Sequence, residues 1–213
     1  MLKIVDLGRM DYEACVELQR GHLEKVADGT EPDTLFLVEH PPVLTLGSDF
    51  HDRNLLLPLS EYEANGIQIF RTDRGGDVTY HGPGQLVIYP VFNVANLGKD
   101  LHKWLRSLEE TIIQTLKNYD IDGQRLSVNT GVWVGNNKIA AIGIKVRRWV
   151  SMHGIALNCN PDMTPFHMII PCGIQGHGVT SLSLELGTDI SIADAKPHVV
   201  ASFKQVFNFA QSE

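Results

Sequence analysis

The clearest periodicity in the chain lies in residues 100–119, where apolar side chains recur every three or four positions. This spacing is the stripe of an amphipathic helix. The stripe consists of Leu101, Trp104, Leu105, Leu108, Ile112, Ile113 and Leu116. Ser191 followed by Asp194 resembles a capping box and predicts a last helix that runs through Val206. A first helix is expected over residues 12–26.

Most other apolar runs are short, and they predict strands. These runs are residues 2–7, 34–39, 43–47, 67–72, 85–92, 127–134, 138–146 and 153–158. Gly135, Asn136 and Asn137 tolerate positive φ and predict a hairpin turn. Strands outnumber helices without a regular βαβα alternation. We therefore expect an α+β fold, with a mixed, mostly antiparallel sheet flanked by a few helices.

Composition narrows the class of protein. The 213 residues are 43% hydrophobic and 20% charged, with a mean hydropathy of −0.06, as in ordinary globular proteins. The sequence shows no repeat or linker, so we expect a single domain over residues 1–213. No apolar run is long enough to span a membrane, and the N-terminus lacks the apolar region of a signal peptide. A cytoplasmic protein without a membrane partner is expected.

The net charge and the spacing of the histidines argue against a nucleic-acid-binding protein and a metalloprotein. The net charge of −7 argues against a nucleic-acid partner, because such proteins usually carry a basic surface. The nine histidines show no paired ligand spacing, so we expect no metal site. We also expect no cofactor.

Residues 74–90, with the sequence RGGDVTYHGPGQLVIYP, gather polar side chains on a glycine-rich backbone. Gly75 and Gly76 lack a Cβ, which lets a ligand or another backbone come close. Strand alternation places Thr79 and His81 on one face. Tight turns alone would explain the glycines and prolines. The polar side chains gathered around them favour instead one wall of a ligand-binding site.

The same segment closely resembles the signature of the octanoyltransferases of lipoate biosynthesis, the lipoyl/octanoyl transferase family. The likeness extends, in order along the chain, to four further blocks. They are EHPPVLTLG (39–47), KIAAIGIKVRR (138–148), HGIALN (153–158) and PCGI (171–174). The resemblance implies the α+β fold shared with biotin and lipoate protein ligases, which agrees with the pattern of elements.

The resemblance also implies a set of site residues. Cys172 matches the family's acyl-thioester cysteine, and Lys138 matches the lysine that activates it. The acyl-binding segments map onto three stretches of this chain. They are Arg74, Gly75, Gly76, Asp77, Val78, Thr79, Tyr80 and His81; Ala141, Ile142 and Gly143; and Gly154, Ile155 and Ala156.

The sequence around each cysteine gives an independent argument about which of them is the nucleophile. Cys172 lies between Pro171 and Gly173, ahead of further glycines, so it is either a nucleophile on an exposed turn or an ordinary loop cysteine. Cys15 falls in the predicted first helix and is expected in the core. Cys159 follows an apolar strand and fits either role.

Strand parity bears on Lys138. An unbroken strand over residues 138–146 would place it on one apolar face. Its companions there would be Ala140, Ile142, Ile144 and Val146. Desolvation on that face would favour the neutral amine, which can take a proton from a thiol. A β-bulge would remove this argument, and an exposed lysine at the hairpin end is the alternative. Lys145 has the opposite parity and is a weaker candidate.

The pocket and its histidines complete the predicted site. Small residues would leave room for a narrow aliphatic chain. They are Ala141, Gly143, Gly154 and Ala156. His81 and His153 are either hydrogen-bonding groups at the reacting centre or structural histidines.

The implied reaction moves an octanoyl group from octanoyl-acyl carrier protein to a lysine of a lipoyl domain. Acceptors would be the lipoyl domains of 2-oxoacid dehydrogenase complexes and the glycine cleavage H protein. These partners are typically acidic, and the segment KVRR, with Lys145, Arg147 and Arg148, is the one dense basic stretch. It is a candidate docking surface or an ordinary solvated strand end.

Three other functions compete with this interpretation. A lipoate or biotin protein ligase would use ATP and need a longer glycine run, whereas Asp77 directly follows Gly75-Gly76. A cysteine hydrolase would pair Cys172 with His153 or His177 and release free acid. A non-catalytic acyl- or lipoyl-domain-binding module would not need the thiol.

Overall fold

The computed structural model describes residues 2–171 and 176–209 of the chain. The strands in these residues are β1 (Lys3–Arg9), β2 (Thr34–Glu39), β3 (Val43–Leu46), β4 (Gln68–Arg71), β5 (Val78–His81), β6 (Gln85–Val91), β7 (Gln124–Leu126), β8 (Asn129–Val134), β9 (Asn137–Arg147), β10 (Val150–Asn158) and β11 (Gly178–Val179). The α-helices are α1 (Tyr12–Ala27), α2 (Leu59–Ala64), α3 (Leu101–Lys117), α4 (Leu182–Leu186) and α5 (Ile192–Val206). Short 3-10 helices cover Asp52–Asn54, Val94–Leu97 and Thr164–Met168.

A large sheet organises the fold. Its strand order is β1-β2-β6-β10-β9-β8-β7, and β11 pairs with the start of β9. Among the described strands of this sheet, β1–β2 and β9–β11 are parallel and the other pairs are antiparallel. A small sheet has the order β4-β3-β5, with one parallel and one antiparallel pair. The expected mixed, mostly antiparallel α+β fold is confirmed.

The central strands bury both of their faces. On β2, Leu35 and Leu37 pack into one core with α3 and α5, whereas Phe36 and Val38 pack into a second core with α1. The strand is therefore an unbroken apolar run rather than an alternating one. Burying one such side chain contributes roughly 1.5–3 kcal/mol, which fixes the register of the strand.

The three predicted helices, α1, α3 and α5, begin and end close to where the pattern places them, whereas α2 and α4 were not predicted. The capping box of α5 is present: Asp194 N–H donates to Ser191 Oγ at 3.2 Å, and Ser191 N–H donates to Asp194 Oδ2 at 2.9 Å. The turn between β8 and β9 is Gly135-Asn136, with Gly135 at φ +54°. In the described part of the chain, no helix has both the length and the apolar character that crossing a bilayer requires.

A β-bulge interrupts the pairing of β8 with β9. Val132 pairs with Ala140 and Trp133 pairs with Lys138, so Ile139 is an extra residue on β9. The bulge shifts the alternation of the strand, because Ile139 and Ala140 both pack into the core under α3. Lys138 therefore lies on the opposite face from Ala140, and the parity argument that placed them together is wrong.

Candidate active site

A cavity of about 510 Å³, partly open to solvent, lies on the face of the large sheet opposite α3 and α5. Every predicted acyl-binding residue lines this main cavity except Val78 and Tyr80, which pack in the core of the small sheet. Residues that the sequence did not indicate also line it. They are Tyr12, Val87, Tyr89 and Asn129.

Arg74 holds one wall of the main cavity. Its guanidinium, on a residue 7% exposed, donates to the carbonyl oxygens of Thr45 at 2.6 Å, Asp77 at 2.7 Å and Gly75 at 3.0 Å. Nε also donates to Thr45 Oγ1 at 3.1 Å. Gly75 N–H donates to Ile144 O at 2.9 Å and so joins the wall to β9. These contacts make Arg74 a support of the wall.

Asp77 is held in the same way. Its buried carboxylate accepts hydrogen bonds from the side-chain amide of Asn54 and from the backbone N–H groups of His51 and Val78. The carboxylate is thus used to connect the wall to the 3-10 helix beside it.

Two glycines of the cavity are needed for backbone contact. A Cβ at Gly143 would lie 2.8 Å from Gly75 O, and one at Gly154 would lie 2.2 Å from Ile88 O. The space beside these glycines is therefore filled by protein backbone. Ala141 and Ala156, the other two of the four small residues, line the same cavity.

His81 is a neutral, hydrogen-bonded histidine. Gln85 Nε2 donates to Tyr80 O at 3.1 Å and to Asn158 Oδ1 at 2.9 Å, so Gln85 Oε1 is the acceptor facing His81 Nδ1 at 2.7 Å. The proton consequently resides on Nδ1, and Nε2 faces Thr45 Oγ1 at 3.5 Å. Burial lowers the pKa of His81 to about 3. The ring therefore donates from Nδ1, can accept at Nε2, and carries no charge near neutral pH.

His153 adopts a left-handed backbone conformation, with φ +57°, and is 1% exposed. The backbone N–H of His153 donates to Gln19 Oε1 at 2.8 Å, and the ring Nε2 lies 2.9 Å from Asp73 Oδ1. Burial lowers the pKa of His153 to about 4 even though Asp73 opposes this effect. The neutral ring donates from Nε2, and its Nδ1 has no hydrogen-bond partner among residues 2–171 and 176–209.

His153 and Lys138 lie at opposite ends of the cavity region. His153 pairs with Ile144, six positions along β9 from Lys138. At about 3.3 Å per residue, this separation is roughly 20 Å. The expectation that His153 acts at the same reacting centre as Lys138 does not fit this distance.

Lys138 lines a smaller cavity, the lysine cavity, which adjoins the main one. The two cavities share Thr79, Ala141 and Ala156. The lysine cavity also contains Pro171, the residue that precedes Cys172 in the chain. Cys172 itself lies outside the described residues. Lys138 is thus brought next to Pro171, the described neighbour of Cys172 in the chain.

The amine of Lys138 is surrounded by polar and aromatic groups. The residue is 5% exposed, and Nζ donates to Asn129 Oδ1 at 3.0 Å and to Thr130 O at 3.4 Å. Nζ also lies 4.8 Å from the centre of the Trp133 ring. The hydrogen bonds and the contact with the Trp133 ring both fix the position of the amine.

Glu109 on α3 supports this arrangement from below the sheet. Its buried carboxylate accepts from Gly131 N–H at 3.1 Å and pairs with Arg106 at 2.7 Å and Arg125 at 3.1 Å. Because Gly131 follows Thr130 on β8, these contacts hold the strand that carries the Lys138 acceptors. No motif in the sequence indicated this residue.

The two cysteines within the described residues are buried free thiols, Cys15 and Cys159. Burial raises the pKa of each thiol to about 12. Neither forms a thiolate near neutral pH, so neither is suited to nucleophilic attack. The predicted core position of Cys15 is confirmed, and Cys159 is a core residue as well.

The basic segment at the end of β9, with Lys145, Arg147 and Arg148, is matched by acidic groups that are distant in the sequence. Arg148 pairs with Glu24 at 2.8 Å and Asp28 at 2.7 Å, Arg147 pairs with Glu24 at 3.4 Å, and Lys145 Nζ lies 4.0 Å from Asp73. These contacts offset the positive charge on which the docking prediction depended. Among the described residues, no cluster of three or more His, Cys, Asp or Glu side chains could hold a metal ion.

Comparison with known proteins gives a consistent family. A model of the lipoyl protein ligase A/B catalytic domain matches residues 11–204. An octanoyltransferase from Alkaliphilus metalliredigens is 48% identical over 98% of this chain and 96% of its own length. One from Chloroflexus aggregans is 43% identical over 97% of this chain and 95% of its own length.

Solved structures show a similar fold. A bi-partite lipoate protein ligase from Thermoplasma acidophilum, studied with its E2 lipoyl domain, has a TM-score of 0.77 and 16% identity, over 99% of this chain and 85% of that one. A biotin protein ligase from Aquifex aeolicus in complex with biotin and ATP has a TM-score of 0.61 and 13% identity, over 97% of this chain and 70% of that one. Both likenesses concern the fold alone.

Proposed function

The chain belongs to the octanoyltransferase family of lipoyl protein ligase A/B catalytic domains, and on this premise we propose that it transfers an octanoyl group through a thioester on Cys172. The donor is octanoyl-acyl carrier protein, and the acceptor is the target lysine of a lipoyl domain. Family membership itself makes the chain an acyltransferase of lipoate biosynthesis. The observation that carries the finer proposal is that Lys138 and Pro171 line one cavity, which adjoins the main cavity.

In the first half-reaction, the neutral amine of Lys138 takes the proton of the Cys172 thiol. The thiolate attacks the thioester carbonyl of the donor, the carbonyl–sulfur bond to the carrier breaks, and the leaving thiolate takes the proton back from Lys138. One thioester replaces another, so little free energy changes. Cysteine suits this role because a thioester reacts with an amine far more readily than an oxygen ester does.

In the second half-reaction, the amine of the acceptor lysine attacks the octanoyl thioester. A carbon–nitrogen bond forms, the bond to Cys172 breaks, and Lys138 passes a proton from the attacking nitrogen to the departing thiolate. The main cavity, which the Arg74 wall and β9 both line, holds the aliphatic chain throughout. Ala141 and Ala156 lie where this cavity meets the lysine cavity.

The acceptors in this proposal are the lipoyl domains of 2-oxoacid dehydrogenase complexes and the glycine cleavage H protein. The similar Thermoplasma acidophilum ligase, studied with its E2 lipoyl domain, supports a lipoyl domain as partner. We also treat residues 1–213 as one catalytic domain, which the match over residues 11–204 supports. The cytoplasmic location stays a prediction.

The direct test is the intact mass of the purified protein after mixing with octanoyl-acyl carrier protein in the absence of ATP. We expect a gain of one octanoyl group that disappears when a lipoyl domain is added. Cys172→Ala should form no adduct, and Lys138→Met should form it at least about 100-fold more slowly, as expected for loss of a general base.

Cys15→Ala is the matched control, because Cys15 is a buried thiol in the core around α1. It should acquire the octanoyl group as the unmodified chain does. Acylation of the lipoyl domain that requires free octanoate and ATP, with no adduct on Cys172, would instead identify a ligase. Release of free octanoate without an acceptor would identify a hydrolase.

A further inference from the structure

His177 is fixed beside the turn that precedes Lys138. Asn136 holds both of its neighbours: the side-chain amide donates to Gly176 O at 2.9 Å, and Asn136 O accepts from Gly178 N–H at 3.3 Å. Gly178 then pairs with Asn137 at the start of β9. Gly176 and Gly178 are both exposed, so this segment lies at the surface where another protein can reach it.

The imidazole of His177 and the amine of Lys138 both contact the Trp133 ring. The two residues line one small cavity of about 240 Å³, the histidine cavity, together with Trp133, Pro171, Gly178 and Val179. The His177 ring centre lies 5.2 Å from that of Trp133, at an interplanar angle of 66°, and Lys138 Nζ lies 4.8 Å from the same Trp133 ring. Trp133 thus contacts both basic side chains.

One nitrogen of this imidazole stands out, because no described residue forms a hydrogen bond with it. His177 Nδ1 is buried and has no partner within the described ranges of the chain. A buried polar atom without a partner is costly and uncommon in native proteins, and such atoms recur at functional sites. Packing against Trp133 does not explain a nitrogen at this position, because an apolar ring would pack there without that cost.

The second half-reaction needs a proton acceptor beyond Lys138. The target lysine of an acceptor domain arrives as an ammonium ion, which has no lone pair for attack. Lys138 is already required to move a proton from the attacking nitrogen to the thiolate. The first proton of the ammonium therefore needs a separate base, located near Lys138 and accessible from the surface.

We propose that His177 is a further catalytic residue, which takes this first proton from the target lysine ammonium. The inference rests on the proposed function and assigns a base to its amide-forming step. The acceptor ammonium loses one proton to His177 and becomes a neutral amine. The amine attacks the octanoyl thioester, Lys138 moves the second proton to the departing thiolate, and His177 releases the first proton to solvent. Charge and protons balance over the step.

The test measures the two half-reactions separately in single turnovers. Acylation by octanoyl-acyl carrier protein does not involve an ammonium ion, so His177→Gln should acylate within about twofold of the unmodified chain. Transfer from the isolated octanoyl-enzyme to a lipoyl domain should slow by about 100-fold, the lower end of the effect of one general base. His102→Gln, the same change at an exposed residue of α3, should alter neither rate.

A second variant separates proton transfer from packing. His177→Phe keeps a ring beside Trp133 but has no nitrogen, and it should transfer octanoyl as slowly as His177→Gln. Transfer by His177→Phe at the rate of the unmodified chain would overturn the inference, as would equal slowing of both half-reactions in His177→Gln. Failure of the unmodified chain to form any octanoyl-enzyme would be a different result, since it would overturn the proposed function and this inference with it.

Discussion

Lys138 Nζ lies 3.0 Å from Asn129 Oδ1, and this contact connects the start of β8 to the predicted base on β9. Asn129 also lines the main cavity, so one neutral side chain touches both the amine and the space for the acyl group. A neutral acceptor fixes the position of the amine without adding the negative charge that would favour the ammonium form.

The change Asn129→Asp should therefore disturb acylation in a pH-dependent way. A carboxylate 3.0 Å from the amine stabilises the ammonium ion, so the neutral base is available only at higher pH. The pH at which acylation reaches half of its maximal rate should rise, with little change in the maximal rate. Single-turnover acylation between pH 5 and 10 measures this shift. Asn118→Asp, beyond the end of α3, is the control; an unshifted profile for Asn129→Asp would contradict the role of the contact.

The position of Lys138 shows how far sequence reasoning reaches. The residue lies in the predicted strand, but the bulge at Ile139 places it on the face opposite to the one that parity gave. The bulge is defined by pairing with β8, and no local pattern in β9 reveals it. Local signals set the bounds of other elements, such as β2 and the capped helix α5. The sequence predicts these elements with their observed bounds.

Other differences between the predicted and the observed site also arise from contacts between residues that are distant in the sequence. Tyr12, Tyr89 and Asn129 reach the main cavity from three separate elements, and their neighbours in the sequence do not mark them as site residues. Arg148 is part of a dense basic segment, yet its partner Glu24 is 124 positions away in the chain. The glycine-rich segment, in contrast, was recognisable because its polar side chains are contiguous.

Gly143→Ala should damage the site by moving the Arg74 wall. The new Cβ would lie 2.8 Å from Gly75 O, and this carbonyl is also an acceptor of the Arg74 guanidinium. We expect octanoyl transfer to fall at least tenfold and the unfolding free energy to fall by about 1–3 kcal/mol, the usual cost of overpacking. Enzyme assays and urea unfolding measure the two effects.

Gly21→Ala is the matched control for that change. Gly21 lies within α1, and an added Cβ would meet no described atom within 4 Å. Helix propensity predicts that this variant gains up to about 1 kcal/mol of unfolding free energy and keeps full activity. Equal behaviour of the two variants would show that the approach of the wall to β9 is not critical.

His153→Ala should change the preferred length of the acyl chain. His153 lies at the end of the main cavity remote from Lys138, and Asp73, its hydrogen-bond partner, lines a further small pocket beside α1. Removing the ring joins these spaces, so the rate ratio of decanoyl to octanoyl transfer should rise several-fold. Competition between the two thioesters measures this ratio directly. His198→Ala on α5 should leave the ratio unchanged, and a constant ratio in His153→Ala would place the end of the acyl chain elsewhere.

Three buried histidines should make the fold sensitive to mild acid. Burial lowers the pKa of His40 and His153 to about 4 and that of His81 to about 3. An unfolded histidine has a pKa near 6.5, so between this value and the folded pKa the unfolded chain binds more protons. The free energy of unfolding is therefore highest above pH 6.5, falls as the pH decreases towards 4, and levels off only below the folded pKa values.

Each of these histidines should contribute about 1.4 kcal/mol of unfolding free energy per pH unit within that window. Urea unfolding at pH 7, 6 and 5 gives the slope of the unfolding free energy against pH. His40→Gln should lower this slope by about 1.4 kcal/mol per pH unit, the contribution of one histidine. His102→Gln, at an exposed position, should leave the slope unchanged. A flat profile between pH 7 and 5 would mean that the folded chain accommodates these imidazolium charges, which conflicts with the role of His81 Nε2 as an acceptor facing Thr45 Oγ1.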